Sequence, residues 1–541
     1  MSPRQEDGPS GARAAEEDGQ TASRDEPRGE PRQAATPTLG EGDMPTTSKW
    51  EIRSWYLYYV GSNGLALFNF GPTAFQNLLD QAAGDSGLLE FAGRARDVNS
   101  IVLLANGMSF AIQAALFLAI GAYADFGTGR RWVLLAWSVV AYGIGFGWLG
   151  VHDPDKWQVG VGLYVVGLIA YQLTLTYWTA AFPSLARNTA RLKESRLAYA
   201  AGDITVEVLD RRDELERSRL SNVAFCIQSV GEVVILAVIV GIMFGVRVDA
   251  SAANNNWGLS VLIAFATACW LVLSVPWFLL EKKRPGMEIP AGLNVVTVGF
   301  WQLHEAATQI WHLKQSLIYL AGYFLLGDSL NTTVTVIATL QNQVVSYNTL
   351  TLTYLLIVGI CAQAAGIGAF WLIQKRFGLS VKIMFNAVME AVILLDGWGM
   401  VGNWTDRFGF HNEWEIWLYQ AFYGLLVCPW YSYSQIMISS VTPRGHEFLF
   451  FSVFNIIGKA SSFIGPLISS AIIDASPGGN NNSAPFYFLF ALSLVSAGGL
   501  WMFLDLEKSA REQEAWLAKE KARIVGEMDS GEVLKASPVR Q

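Results

Sequence analysis

Twelve stretches of roughly 20 mostly apolar residues recur between Trp55 and Asp505, and about 20 residues is the length a helix needs to cross the hydrocarbon core of a bilayer. They run approximately over 55–79, 100–124, 132–150, 157–182, 222–246, 257–280, 315–339, 348–373, 380–401, 414–438, 448–473 and 485–505. Lipid offers backbone N–H and C=O groups no partners, so such a chain is expected to be an all-α integral membrane protein with twelve transmembrane helices. Charged residues make up only 16% of the chain, against about 25% in soluble proteins. The seventh stretch carries Asp328 and Asn331 and the ninth carries Glu390; their polarity is expected to face the inside of a bundle.

With the N-terminus in the cytosol, 32 of the 38 Lys and Arg fall on the cytosolic side. Five (Arg94, Arg96, Lys156, Arg247 and Arg407) fall on the opposite side, and Lys459 lies inside the eleventh stretch. Cytosolic loops carry such an excess, so both termini are expected in the cytosol. The sequons at Asn403 and Asn481 then sit in loops on the opposite side, where N-glycans are expected, whereas the sequon at Asn331 is inside a span. Residues 1–49 hold ten acids, six Pro and six Gly, with Leu39 as the single branched aliphatic residue. That is too little apolar surface to offset ordering entropy, so they read as a disordered cytosolic tail. Residues 506–541 read as a charged cytosolic tail. The cytosolic linker 281–314 separates an N-terminal six-helix half, 50–280, from a C-terminal one, 315–505. In it Phe300, Leu303, Ala307 and Ile310 have the spacing of an amphipathic surface helix.

Several functions are excluded or disfavoured. The net charge of −8 and the scattered basic residues argue against nucleic acid. No Gly-x-x-x-x-Gly-Lys-Ser/Thr loop occurs, which argues against transport driven directly by ATP. Cys226, Cys269, Cys361 and Cys428 each sit in an apolar run without Cys-x-x-Cys spacing and read as small buried hydrophobes. No metal site, cofactor or catalytic residue is expected, and the chain does not read as an enzyme.

After the second stretch comes Gly121-Ala-Tyr-Ala-Asp125-Phe-Gly127-Thr-Gly129-Arg130-Arg131. With one extra residue, it resembles the Gly-x-x-x-Asp-x-x-Gly-Arg-Lys/Arg loop of the major facilitator superfamily. Two six-helix halves fit the same superfamily. The glycines permit close helix approach, and Asp125 suits the positive end of a facing helix. Arg130 and Arg131 are expected at the lipid headgroups. The loop reads as a conformational lock against the start of the eleventh span, near Pro443–Glu447.

The eleventh span and its approach read Pro443-Arg444-Gly445-His446-Glu447-Phe448-Leu449-Phe450-Phe451, then Gly458-Lys459-Ala460-Ser461-Ser462-Phe463-Ile464-Gly465-Pro466. They are similar to the Pro-x-Gly-x-Glu-x-x-Phe-Phe and Lys-x-Ser-Ser-x-x-Gly-Pro segments of the autophagy-related protein 22 family of vacuolar amino-acid effluxers. Ala181–Ala186 resembles that family more loosely, and Tyr431–Ser434 and Ser221–Phe225 depart from its pattern. The resemblance implies a major facilitator fold in the vacuole membrane. It also implies export of neutral amino acids, released by autophagic degradation, from the lumen to the cytosol by alternating access. Two other readings stay open: a porter of another small solute (sugar, drug or nucleoside) and a nutrient receptor that does not transport.

Ionisable groups inside spans are expensive and normally face a partner or a wet cavity. Glu232, Asp328 and Lys459 all lie near mid-span, with Asn331 three residues from Asp328 on the same helical face. An amino acid needs a cationic pole and an anionic or carbonyl-rich one. Lys459 suits the first, and Asp328 or Glu232 the second, with proton coupling open to either acid. Alternatively, Lys459 forms a structural ion pair with one of them. In the superfamily, spans one, four, seven and ten line the cavity. Here they carry Phe68, Phe70, Tyr171, Tyr177, Trp178, Tyr323, Phe324, Trp430 and Tyr431.

Overall fold

The computed structural model describes residues 44–120, 129–284, 313–443, 462–477 and 480–529, with isolated positions between 294 and 311 and between 454 and 458. Helix α1 (Lys49–Gly61) is opened by a capping box: Ser48 Oγ accepts the Glu51 N–H at 3.1 Å and the Glu51 carboxylate accepts the Ser48 N–H at 3.4 Å. The chain unwinds over Ser62–Gly64, passes through a π-helical turn at Leu65–Phe70 and continues as α2 (Gly71–Ala83). The first expected span is therefore two half-helices.

A hairpin follows, β1 (Leu88–Phe91) antiparallel to β2 (Arg94–Asp97), with Leu88 opposite Asp97 and Phe91 opposite Arg94. Its two-residue turn uses Ala92 at φ 51° and Gly93 at φ 75°, the positive values that match hairpin twist. This small sheet is an addition to the all-α reading.

Then come α3 (Val98–Ile120), α4 (Arg130–Gly147), α5 (Trp157–Thr179), the short α6 (Phe182–Arg187) and α7 (Ala190–Ala200), α8 (Val206–Val246) and α9 (Ala252–Leu280). The C-terminal half contributes α10 (Lys314–Val344), α11 (Thr349–Phe377), α12 (Val381–Val401), α13 (Glu413–Phe422), α14 (Trp430–Val441), α15 (Ile464–Ala475) and α16 (Pro485–Phe503). The charged α17 (Leu506–Asp529) ends the described chain.

Among the described residues, eight helices are long and apolar enough to cross a membrane; the protein is a multi-pass membrane protein. The remaining expected spans fall short for identifiable reasons. Spans one and ten are interrupted, span seven (α10) is too polar, and only the second part of span eleven, α15, is described. Apolar side chains gather into two cores. One is built from α1 to α9 and includes Tyr58, Leu65, Trp270 and Trp277; the other is built mainly from α10 to α16, joined by Leu103 of α3, and includes Leu326, Phe385, Met437 and Phe486.

Three boundaries differ from the sequence reading. Pro45–Ser48 belongs to the folded unit: Thr47 is buried, its N–H donates to the Asn188 carbonyl at 2.9 Å and its hydroxyl to the Leu185 carbonyl at 2.9 Å. The fifth span itself stands at Val223–Val246, but the helix that carries it begins sixteen positions before the expected start: α8 is a 41-residue helix whose first part is rich in good helix formers (Glu, Leu, Arg), about twice the length needed to cross a bilayer. The expected loop 186–220 is thus largely helical. In the linker, Phe300 is helical and exposed and Ile310 helical and buried; Leu303 and Ala307 lie outside the described residues. Of the thiols, Cys428 is buried as expected, Cys269 is half-buried and Cys361 is exposed.

Candidate functional site

The end of the bundle with the start of α1 and the start of α17 is called here the terminal end; the other, with the hairpin, is the distal end. At the distal end the two halves are joined by a polar seal. Gln76 of α2 is its hub. Its Nε2 donates to Asn99 Oδ1 at 2.7 Å and to the Thr339 carbonyl at 3.0 Å, and its Oε1 accepts Asn342 Nδ2 at 2.8 Å. Asn99 donates onward to Gln343 Oε1 at 3.0 Å, and the Ser100 and Ser470 hydroxyls meet at 2.9 Å. Asp474 binds both Ser100 and Arg96. Asn255 accepts the Thr349 hydroxyl at 2.6 Å, and Asn106 donates to Thr335 at 3.2 Å. Gln76, Asn99, Ser100, Ser470 and Asn342 are all buried. A buried amide is costly unless its donors and acceptors are matched, and those of Gln76, Asn99 and Asn342 find partners in the seal, while Asn106 Oδ1 has none. Among the described residues, the side-chain hydrogen bonds that join the halves lie on this side of the bundle.

Two cavity-type spans are broken at π-helical turns. In span one Gly71 N–H bonds the carbonyl of Ala66, and in span ten Cys428 N–H bonds that of Tyr423. Each π turn precedes a proline, Pro72 or Pro429. Proline supplies no N–H and its ring clashes with the carbonyl four residues back, so the preceding turn widens. Phe68, on the first π turn, is 42% exposed and stacks on Tyr171 at 5.6 Å between centroids. Tyr431, just after the second, is 49% exposed, and its hydroxyl meets that of Tyr423 at 3.2 Å. Tyr171 and Tyr431 are within electrostatic range of each other across the halves. Tyr323 stacks on Trp430 at 5.9 Å. Phe70, Tyr177, Trp178 and Trp430 are buried packing residues, while Phe324 is half-buried.

The expected polar residues of span seven grip span eleven. Asp328 accepts the Gly465 N–H at 3.1 Å, and Asn331 Nδ2 donates to Ser462 Oγ at 3.1 Å. Gly465 is the second residue of α15, so Asp328 caps a helix start where the dipole favours a carboxylate. A Cβ at Gly465 would sit 2.0 Å from Thr332 Oγ1, which explains why glycine stands there. Replacing Asp328 with Ala should cost about 1 kcal/mol of stability, whereas Asn, which still accepts, should recover most of it. Thermal unfolding of the purified protein measures this; equal stability of the Ala variant would remove the capping role.

Glu232 of α8 is buried, and its carboxylate accepts Gln228 Nε2 at 2.6 Å. It is bound within α8 in the N-terminal half, whereas Asp328 binds α15 in the C-terminal half. The structure therefore places the two candidate acids apart. Glu390 is exposed on the outside of α12, so the polarity of span nine has another source. That source is Asp396, which is fully buried and accepts hydroxyls from Ser329 and Thr333 of α10.

At the terminal end, Arg130 and Arg131 do not reach for headgroups. Arg130 pairs with Glu281 at 2.7 Å and donates to the Ala180 carbonyl at 3.1 Å, and Arg131 donates to the Phe278 carbonyl. Ala180 and Phe278 lie at the C-terminal ends of α5 and α9, where orphan carbonyls and the helix dipole favour cations. A second ion pair, Glu51–Arg284, is bidentate at 2.6 and 2.9 Å and almost completely buried. Lys459, Gly121, Asp125 and Glu447 lie outside the described residues.

The two sequons turn out to be neighbours. Asn481 Nδ2 donates to Asn403 Oδ1 at 3.2 Å, and Asn403 Nδ2 donates to the Ser483 carbonyl at 2.9 Å.

The model of the family described as "Vacuole effluxer Atg22 like" matches residues 47–514. The chain belongs to this Atg22-like family. Autophagy-related protein 22 of Kluyveromyces lactis is 24% identical over 511 residues, covering 88% of this chain and 98% of that protein. Autophagy-related protein 22 of Yarrowia lipolytica is 23% identical over 486 residues, covering 79% of each chain. Among solved structures, the inward open xylose transporter XylE from E. coli gives a TM-score of 0.54 at 13% identity, over 86% of this chain and 99% of that one. A point mutant of the nucleoside transporter NupG gives 0.53 at 14% identity, over 84% and 100%. These likenesses show the fold: this Atg22-like chain has the major facilitator architecture. The segment with Ser462 and Gly465, on which the sequence resemblance to the family rests, is the one that Asn331 and Asp328 hold.

Proposed function

We propose that the protein exports neutral amino acids from the vacuole lumen to the cytosol by alternating access, with both termini in the cytosol. The observation that carries this reading is the polar seal. On the charge asymmetry of the loops, the distal end faces the lumen. A bundle sealed there by matched side chains of both halves is the lumen-closed member of an alternating pair, the state from which an exporter releases its cargo. The opposing state requires those bonds to part, and each exposed amide can then bond water, so opening is a balanced exchange. The family and the major facilitator fold support transport, and the aromatic residues at the two π turns suit apolar side chains.

Lys459 is the candidate pole for the substrate carboxylate, and Asp125 with Glu447 the candidate terminal-end lock. Twelve spans, the two six-helix halves, the surface linker and glycans at Asn403 or Asn481 belong to the same reading. Lys459→Met tests it in efflux assays on isolated vacuoles. A well-expressed variant that no longer moves zwitterionic amino acids supports the carboxylate role. Misfolding repaired by Glu232→Gln or Asp328→Asn identifies a structural ion pair instead. Full efflux removes Lys459 from the mechanism.

A further inference from the structure

Span one is clamped just where it breaks. Three helices approach it closely over five residues. Gly231 of α8 lies against Val60, such that a Cβ there would sit 2.4 Å from that side chain; a Cβ at Gly61 would sit 2.9 Å from the Trp270 Cα of α9, and one at Gly64 would sit 3.0 Å from the Tyr171 hydroxyl of α5. Gly64 also has φ +93°, which a side chain would strain. Glu232 adjoins Gly231 and so is held at the level of the break, within electrostatic range of Tyr59 and Tyr171.

The break itself is rich in acceptors. The Ser62 N–H bonds back to the Tyr58 carbonyl, and the Leu65 N–H turns to the Asn63 side chain at 3.0 Å. The helical ladder is thereby interrupted beside the carbonyls of Val60 and Gly61. The Ser62 hydroxyl is buried at 1% exposure with no hydrogen-bond partner. Irregular backbone at membrane depth is stable only where it is enclosed by protein or lines a wet cavity. No Lys or Arg forms an ion pair with Glu232 among the described residues. A buried carboxylate, an unpartnered hydroxyl and interrupted backbone carbonyls together make a pole for a compact cation with several N–H donors.

We infer that the break at Gly61–Gly64, with Glu232 and Ser62, is the subsite for the primary ammonium group of the transported molecule. This rests on the transport reading above and sharpens it: Glu232 serves the ammonium, while Asp328 is occupied in capping α15. Tyr171 and Phe68 then border the same subsite and contact the cargo's side chain.

Competition against labelled leucine efflux in proteoliposomes tests this, with leucinamide (ammonium without carboxylate) and 4-methylvalerate (carboxylate without ammonium) as probes. Wild-type protein should be inhibited by leucinamide. Glu232→Gln should raise the leucine KM about tenfold or more and lose leucinamide inhibition, and Ser62→Ala should weaken both several-fold. Inhibition of wild type by 4-methylvalerate alone would overturn the assignment, as would a Glu232→Gln protein with unchanged KM and leucinamide inhibition. A Glu232→Gln protein that keeps its KM but loses the pH dependence of transport would make Glu232 a proton carrier and also overturn it. If Glu232→Gln fails to accumulate, Ser62→Ala decides on the same two readouts. Failure of the transport reading looks different: wild-type protein moves no amino acid at all.

Discussion

A Ser100→Cys/Ser470→Cys protein should lose transport completely when oxidised and regain it on reduction. The two hydroxyls are 2.9 Å apart on opposite halves and both are buried in the distal seal, so sulfurs at those positions need move only about 1 Å to reach bonding distance. The bond would hold closed the end that must open for cargo to enter from that side. Cys226, Cys269, Cys361 and Cys428 are replaced first, so that no other thiol competes. Each single variant, equally oxidised, should transport normally. Mass spectrometry gives the cross-linked fraction and efflux gives the rate, and the two should vary inversely. Undiminished transport by fully cross-linked protein would mean that the seal never parts.

The second large effect is expected at Arg284, and it is a loss of folded protein. Arg284 reaches Glu51 with both terminal nitrogens, and the two side chains are 2% and 0% exposed. Glu51 also accepts the Lys282 N–H at 3.0 Å and closes the α1 capping box. Arg284→Met strands a carboxylate in an enclosed site, which costs about 3–5 kcal/mol. That is a large part of the 5–15 kcal/mol that stabilises a typical fold, roughly. Glu51→Gln/Arg284→Met removes both charges and should recover much of the loss. Size-exclusion profiles and thermal unfolding of the three proteins measure it. A single Arg284→Met variant as stable as wild type would show that the pair contributes nothing.

The parts of this architecture that depend on local pattern are readable in the chain. Hydropathy places the helices, and the three-residue spacing of Asp328 and Asn331 puts both on the face that meets α15. The Ser48-x-x-Glu51 pattern announces a capping box, yet its stronger use, the pairing of Glu51 with Arg284, joins residues 233 positions apart and is invisible locally. Asp396 escapes notice beside Glu390 because a carboxylate near a helix end reads equally well as interfacial; only the hydroxyls of α10 make it an interior group. Averaged hydropathy also hides the break in span one, although Gly61-Ser-Asn-Gly64 is turn-forming text. Gln76, uncharged inside an apolar stretch, and Asn99 and Asn342, uncharged just outside theirs, give no signal in the sequence, yet they bind the halves together.

The central claim is net movement of neutral amino acids through this chain, out of an acidic compartment. Purified protein in liposomes loaded with radiolabelled leucine at acid internal pH provides the direct measurement. Efflux without ATP is expected, absent from protein-free liposomes and stopped by oxidation of the Ser100→Cys/Ser470→Cys variant. Retention of leucine, alanine and tyrosine alike by folded wild-type protein, with release of a sugar or nucleoside instead, would contradict it.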